Sequence, residues 1–451
     1  MSIVRLYPLT RKVKKMRILA AVLVVAAMLV PLGLMGTAAA ANRNLTPVVI
    51  GPIPTDRFDG GSLIAVKAGD ALFGVRYGTS NHLNDIVIFA EYKRFLGGAQ
   101  IVDGQGNELA SRGIPVYTVL AQSLTRFIEF RERNATDGFD LTSVDPFHVP
   151  LTQNVPVKVL MLRTAWELTG LTNETSGGVT YVNFTVSATN LAYTHVLDNT
   201  SLGDEMLNRV AFTFHLVVGT HDVTANVPWY RVTVDDGNRY DITHVEFLGY
   251  RNVTGPAIAM GAKYDHLIEG WDFAYPTDRL ALETHLVFGN YIPERTAEFI
   301  HAAYMRDHAD DGTRILGDAT LNATAPTHPE LFTRDRVYFN DTYTRIGRFR
   351  WATNVTVDGQ PARMTFNLQG GGRIAFGHDG AYFVGFWLRG AFVYPAGQVI
   401  SHDPEISTEA FVDLPIGVNL TPFTILAAQL AVVGIAMGPA LYLRAKARRQ
   451  K

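Results

Sequence analysis

Residues 179–189, VTYVNFTVSAT, decide the fold. Val182, Phe184 and Val186 fall on one side of a two-residue repeat, and Tyr181, Asn183 and Thr185 on the other. A strand turns successive side chains to opposite faces, so this alternation predicts a strand with one buried and one wet face. Residues 209–218, RVAFTFHLVV, alternate in the same way around Phe212 and Phe214. Residues 231–246 hold two such runs on either side of Asp236-Gly237. Residues 353–368 repeat the device around Asp358-Gly359, and both dipeptides suit a tight hairpin turn. In the latter, Val355 and Val357 face one way and Asn354 the other. Residues 165–171 and the run from Val179 read as a further hairpin across Ser176-Gly177-Gly178. The expected class is mainly β: antiparallel meanders packed as a β-sandwich of two or three units.

Helix is scarce between the chain ends. The best candidate is residues 293–305, PERTAEFIHAAYM, where Pro293 suits the first helical position and Glu294 the first turn. A polar, Asp-rich linker, residues 306–334, follows. The division expected is a β-rich unit at 47–150, a central sandwich at 151–305 ending in the helix, and a smaller β-unit at 335–412. A faint repeat, IAMG at 258–261 before FAYP at 273–276 and IAFG at 374–377 before FVYP at 392–395, hints at duplication.

Two apolar segments bracket this middle. Residues 18–35, ILAAVLVVAAMLVPLGLM, carry no charge, follow a basic stretch and precede a run of small residues. That order describes a secretory signal peptide within residues 1–41, cut near Ala39 to Ala41, or a retained signal anchor. Residues 422–442, PFTILAAQLAVVGIAMGPALY, are also uncharged and long enough to cross a bilayer. Gly434, Gly438 and Pro439 are tolerated in a membrane span, and Gly434 and Gly438 match a small-residue pairing spacing. Residues 443–451 form a basic tail.

Charge is segregated accordingly. The chain of 451 residues has 40 basic and 42 acidic side chains, yet every charge before position 42 and after position 423 is basic. The middle therefore holds 29 basic against 42 acidic residues, a surface that repels nucleic acid. Basic flanks stay in the cytoplasm, which puts the middle outside the cell, the tail inside, and the second apolar segment in contact with membrane lipid.

Glycosylation sequons report on the same topology. The pattern Asn-x-Ser/Thr occurs at Asn134, Asn173, Asn183, Asn199, Asn252, Asn322, Asn340 and Asn354, and at Asn44 and Asn419, where Pro follows the Thr. With 21 Asn, 11 Ser and 41 Thr in the chain, chance gives about two or three. All ten lie between the apolar segments.

Chemistry is written only faintly. The absence of Cys excludes disulfide frameworks, thiolate metal sites and a Cys nucleophile. No phosphate-cradling Gly-x-x-x-x-Gly-Lys, His-Glu-x-x-His or Gly-x-Ser-x-Gly motif is present. Gly370-Gly371-Gly372 reads as a β-turn. Trp229, Tyr230, Tyr264, Asp265, His266, Glu269, Trp271 and Asp272 are candidates to line a carbohydrate groove, with ring faces for sugars and carboxylates for hydroxyls. A pair of carboxylates would also permit glycoside hydrolysis. His301, Asp307, His308, Asp310 and Asp311 are candidate metal ligands, and residues 132–140 resemble a calcium loop with its Gly one place late. No cofactor is required by any motif, and calcium is the one candidate. The reading that results is a non-catalytic ectodomain for envelope structure, adhesion or ligand capture, with envelope proteins or glycans as partners. The alternatives are an extracellular carbohydrate-binding or glycoside-hydrolysing protein and a metal-binding or redox ectodomain.

Overall fold

The computed structural model describes residues 45–54, 61–132, 154–195, 201–235, 242–293, 296, 336–340, 345–378 and 381–411. Within them the regular elements are strands, and the protein is mainly β. The helix expected over 293–305 lies outside the described residues apart from Pro293 and Thr296, and Pro293 closes a strand. The linker at 306–334 also lies outside them.

One layer begins as a meander of β1 (Val48–Pro54), β2 (Ser62–Ala68), β3 (Ala71–Tyr77), β4 (Ile86–Val102) and β5 (Glu108–Glu132), each antiparallel to the next. β5 then pairs with β11 (Arg279–Pro293), β11 with β17 (Ala381–Pro395), and β17 with β16 (Thr365–His378). The second layer runs β7 (Glu167–Ser176), β8 (Val179–Thr194), β9 (Ser201–Val234), β10 (Ile242–Glu269). The far edge of β10 carries β19 (Glu405–Phe411) and β18 (Val399–His402) end to end. Beyond β19 lie β13 (Arg345–Arg350) and β12 (Arg336–Asn340), and beyond β18 lie β14 (Asn354–Val357) and β15 (Gln360–Arg363). β6 (Asn154–Met161) bridges the layers, pairing with β5 and touching β8 at Val159↔Thr194. Strands from all three segments marked in the sequence thus share one hydrogen-bonded network, with β5, β11 and β17 as direct neighbours.

The inward residues are those the two-residue repeat selects. Val182, Phe184 and Val186 of β8, Phe212, Phe214 and Leu216 of β9, and Ile258, Ala262 and Tyr264 of β10 are buried. They meet Val75, Ile88, Leu120, Leu282 and Phe392 of the first layer in one core. Phe214 is stacked between Phe184, 5.1 Å between centroids, and Tyr264, 6.1 Å. Two hairpins close with two residues each. Gly177 and Gly178 have φ of 59° and 80°, and Asp358 and Gly359 have φ of 52° and 75°. Positive φ at both central positions gives the turn whose twist matches that of the flanking strands.

β9 and β10 are 34 and 28 residues long, far beyond an ordinary strand. β9 parts from β8 after Gly219 and meets β4 only at Trp229, so between those points it pairs with β10 alone as a two-stranded ribbon. From Trp229 to Thr233 it runs parallel to Gly98–Val102 of β4. There Leu96, Ile101, Ile114, Val116, Val232 and Val245 make a second, smaller core. A Cβ on Gly98 would stand 2.1 Å from the Trp229 ring, so only glycine admits that close approach.

Phe214 is fully buried between two rings, and truncation leaves a cavity that the stack cannot close. Phe214→Ala is expected to lower unfolding free energy by about 3–5 kcal/mol at an unchanged denaturant slope, measured by urea titration.

Candidate functional site

The outward residues of the second layer form a concave face. Across five strands, Tyr181, Val217, Gly261, Ser407 and Arg348 stand in one row of the register. Small side chains in the middle and large ones at the edges leave a groove of about 800 Å³, lined by Tyr181, His215, Lys263, Arg348 and Glu405 over a floor of Gly219, Ala259, Gly261 and Ser407.

Its rim is a chain of polar groups. His215 Nδ1 lies 2.8 Å from Asn183 Oδ1, and His215 Nε2 lies 3.3 Å from Asp265 Oδ2. Lys263 Nζ reaches Asp265 Oδ1 at 3.1 Å and Asp403 Oδ2 at 3.3 Å. Partial burial pulls the Lys263 ammonium down, and the two carboxylates together outweigh it and leave its pKa raised. Arg348 pairs with Glu405 at the opposite wall. This set of fixed donors and acceptors around one exposed ring is suited to a polar, hydroxyl-bearing ligand. Glu405 is the carboxylate among the lining residues, and Asp265 and Asp403 add two more at the rim through Lys263.

The residues chosen from sequence as a sugar-contacting set are distributed over several places. Alternation along β10 points Asp265 outward to the rim and sends Tyr264 and His266 into the core. Trp229 is buried at the far end of β9 and carries Arg251 over its ring at 4.4 Å, and half-buried Tyr230 packs on Phe247. Trp229 is some 15 residues along β9 from Phe214, the register partner of Tyr264, a contour of roughly 50 Å. Glu269 pairs with Arg209 at 3.0 Å, and Asp272 is exposed. Trp271 is buried and donates its Nε1–H to Glu129 Oε2 at 2.8 Å. Glu129 also accepts from the Ala274 backbone N–H at 2.8 Å, with Lys158 Nζ 3.7 Å away and 4.3 Å from the Tyr193 ring. Burial raises the Glu129 pKa, opposed by the Trp271 and Ala274 hydrogen bonds. This buried cluster fastens the turn after β10. Reasoning from sequence missed Glu129 and Lys158, because the Trp271 and Ala274 groups that Glu129 binds are more than a hundred residues away in the chain.

His266 belongs to a second polar cluster inside the core. His402 Nε2 lies 2.7 Å from the carbonyls of Trp351 and Ala352, so it carries the proton and Nδ1 is left as an acceptor. Tyr394 OH lies 3.0 Å from that Nδ1 and 2.5 Å from His266 Nε2. One direction fits the facing atoms: His266 Nε2–H donates to the Tyr394 oxygen, Tyr394 O–H to His402 Nδ1, and His402 Nε2–H to the two carbonyls, while the buried His266 Nδ1 is left as an acceptor with no partner among the described residues. The chain passes from β10 to β17 in the opposite layer and back to β18. Burial holds both imidazoles below the usual His range; His402 adds to this at His266, while the two carbonyls oppose it at His402.

His301, Asp307, His308, Asp310 and Asp311 lie outside the described residues, as does the loop after Glu132. Among the described residues no group of three His, Asp or Glu side chains is placed to hold a metal ion. No protein-family model matches this chain, and no characterised protein resembles it significantly.

Since the folded His266 and His402 resist protonation, the unfolded chain binds more protons once pH falls through about 6.5. Their contribution to stability is present above that pH and is lost below it. Urea midpoints are expected to hold steady near pH 7–8 and to decline from about 6.5 downward. Replacing both residues by Gln should flatten that decline; an unchanged profile would count against the relay.

Proposed function

We propose that the chain is a membrane-tethered, N-glycosylated cell-surface protein. Its β-sandwich ectodomain would serve envelope structure, adhesion or ligand capture and carry no reaction of its own. The observation that carries this reading is the order along the chain: two uncharged apolar segments with basic flanks, and ten sequons confined to the acidic stretch between them. Asn173, Asn252 and Asn354 are exposed and Asn183 is half-buried, so none of these four sequon asparagines sits in the core. Asn134, Asn199 and Asn322 lie outside the described residues, and Asn340 ends β12. No helix among the described residues is long and apolar enough to cross a membrane, and both segments assigned to the bilayer lie outside them.

The tether places the ectodomain outside and the basic tail in the cytoplasm, with lipid held through residues 422–442. A second reading, carbohydrate binding, is favoured by the groove, where the exposed Tyr181 ring stands among His215, Lys263, Arg348 and Glu405.

Protease added to intact cells is expected to remove the ectodomain and spare an epitope placed on the tail. An ectodomain that survives while a known surface protein is shaved would refute the topology. For the groove, Arg348→Ala is expected to reduce retention on a polysaccharide column several-fold with little change in melting temperature, and undiminished retention would dismiss the second reading.

A further inference from the structure

Three sequons share a feature. Asn183, Asn252 and Asn340 are each preceded by Tyr two residues earlier and followed by Thr two residues later: Tyr181-x-Asn183-x-Thr185, Tyr250-x-Asn252-x-Thr254 and Tyr338-x-Asn340-x-Thr342. Tyr makes up 18 of 451 residues, so fewer than one of ten sequons should have it there by chance. Tyr181 and Asn183 lie in β8, Tyr250 and Asn252 in β10, and Tyr338 and Asn340 in β12. Residues i and i+2 of a strand share a face, so spacing in sequence becomes adjacency in space.

The Asn252 site shows what this adjacency builds. It lies on the two-stranded ribbon, opposite Asn226, where β10 has β9 as its only described neighbour. A β-bulge between Phe247 and Gly249 brings Phe247 onto the face of Tyr250. Tyr230, Phe247 and Tyr250 then form a continuous shelf, with ring centroids 5.5 and 5.3 Å apart. Phe247 and Tyr250 are half-exposed. The shelf leads directly to Asn252 and on to Thr254, whose hydroxyl lies 2.7 Å from that of Thr224. At the other site Tyr181 is 43% exposed, and the Thr185 and Thr213 hydroxyls lie 2.9 Å apart. The Asn183 bond to His215 engages Oδ1 and not Nδ2, the atom that carries a glycan.

We propose that these tyrosines are seats for the protein's own glycans: the first sugar on Asn252 lies against the Tyr250 ring and the Phe247 shelf, and the first sugar on Asn183 lies against Tyr181. The occupant is a pyranose joined through the side-chain amide, whose C–H face matches the apolar face of an aromatic ring. On the ribbon the sugar covers rings that would otherwise stand in water beside a two-stranded segment with little core of its own. At Asn183 the sugar enters the groove from the β8 wall, so one end of that face is occupied from within the molecule. The inference rests on the glycoprotein reading.

The test uses full-length protein from its native host, analysed by glycopeptide mass spectrometry and by thermal unfolding in detergent. Asn183 and Asn252 are expected to be occupied. Asn252→Gln should lower the melting temperature by about 2 °C in the parent and by nothing further in a Tyr250→Ala background, while a Tyr250→Phe background, which keeps the ring, restores the loss. An equal loss in all three backgrounds would overturn the seat. Unmodified Asn183 and Asn252 beside modified asparagines elsewhere would overturn this inference alone. Unmodified asparagines at every sequon would overturn the glycoprotein reading as well.

Discussion

A strand can hide only every second residue, and most of this molecule follows from carrying that constraint across β8, β9 and β10. Their register aligns Val182 with Leu216 and Ala262 in an inner row, and Tyr181 with Val217 and Gly261 in the neighbouring outer row. A slip of one residue would send the Phe184, Phe214 and Tyr264 stack into water and bring the polar rim into the core. The core and the groove are therefore opposite faces of one pattern. The floor of small residues makes the groove concave, and the same register continues through Ser407 to Arg348 to supply its far wall.

The core is not wholly apolar, and its polar groups are arranged rather than scattered. A buried donor or acceptor without a partner costs about 1–3 kcal/mol, so a buried polar group gains by finding another. The run from His266 through Tyr394 to His402 does so by crossing between the layers twice, and ends on the carbonyls of Trp351 and Ala352. Ala352 has φ of 39°, a conformation that non-glycine residues seldom adopt, and the His402 bond holds it there. Packing of rings alone would tolerate rotation of one layer against the other. A directed hydrogen-bond chain does not, because it fixes both distance and tautomer.

Much of the β-structure was legible in the residues. The alternation at Val182, Phe184 and Val186, and at Phe212 and Phe214, named the buried faces correctly, and the Asp358-Gly359 and Ser176-Gly177-Gly178 turns stand where their chemistry asks. The candidate site was less legible. Tyr264 and His266 look like their neighbour Asp265 in a list of polar and aromatic residues, yet strand parity sends them to the other side of the sheet. Trp229 and Tyr230 looked close enough in the chain to join that set, but the antiparallel return of β10 leaves them at the distant end of the ribbon. Arg348 and Glu405 gave no signal, because their place in the groove depends on which strands become the edge of β10.

What the sequence determined by itself is local: strand periodicity, turn positions, the segregation of charge to the ends, and the spacing of Tyr, Asn and Thr that a strand places on one face. These depend on neighbours one or two residues away, whose geometry the backbone supplies. The tertiary structure alone decided which strands pair, that segments far apart in the chain share one network, and that Glu129 meets Trp271 and His266 meets His402. Those choices rest on the burial of matched apolar faces and on satisfying buried polar groups across more than a hundred residues of chain. A local pattern announces that a face must be covered, and the rest of the chain determines what covers it.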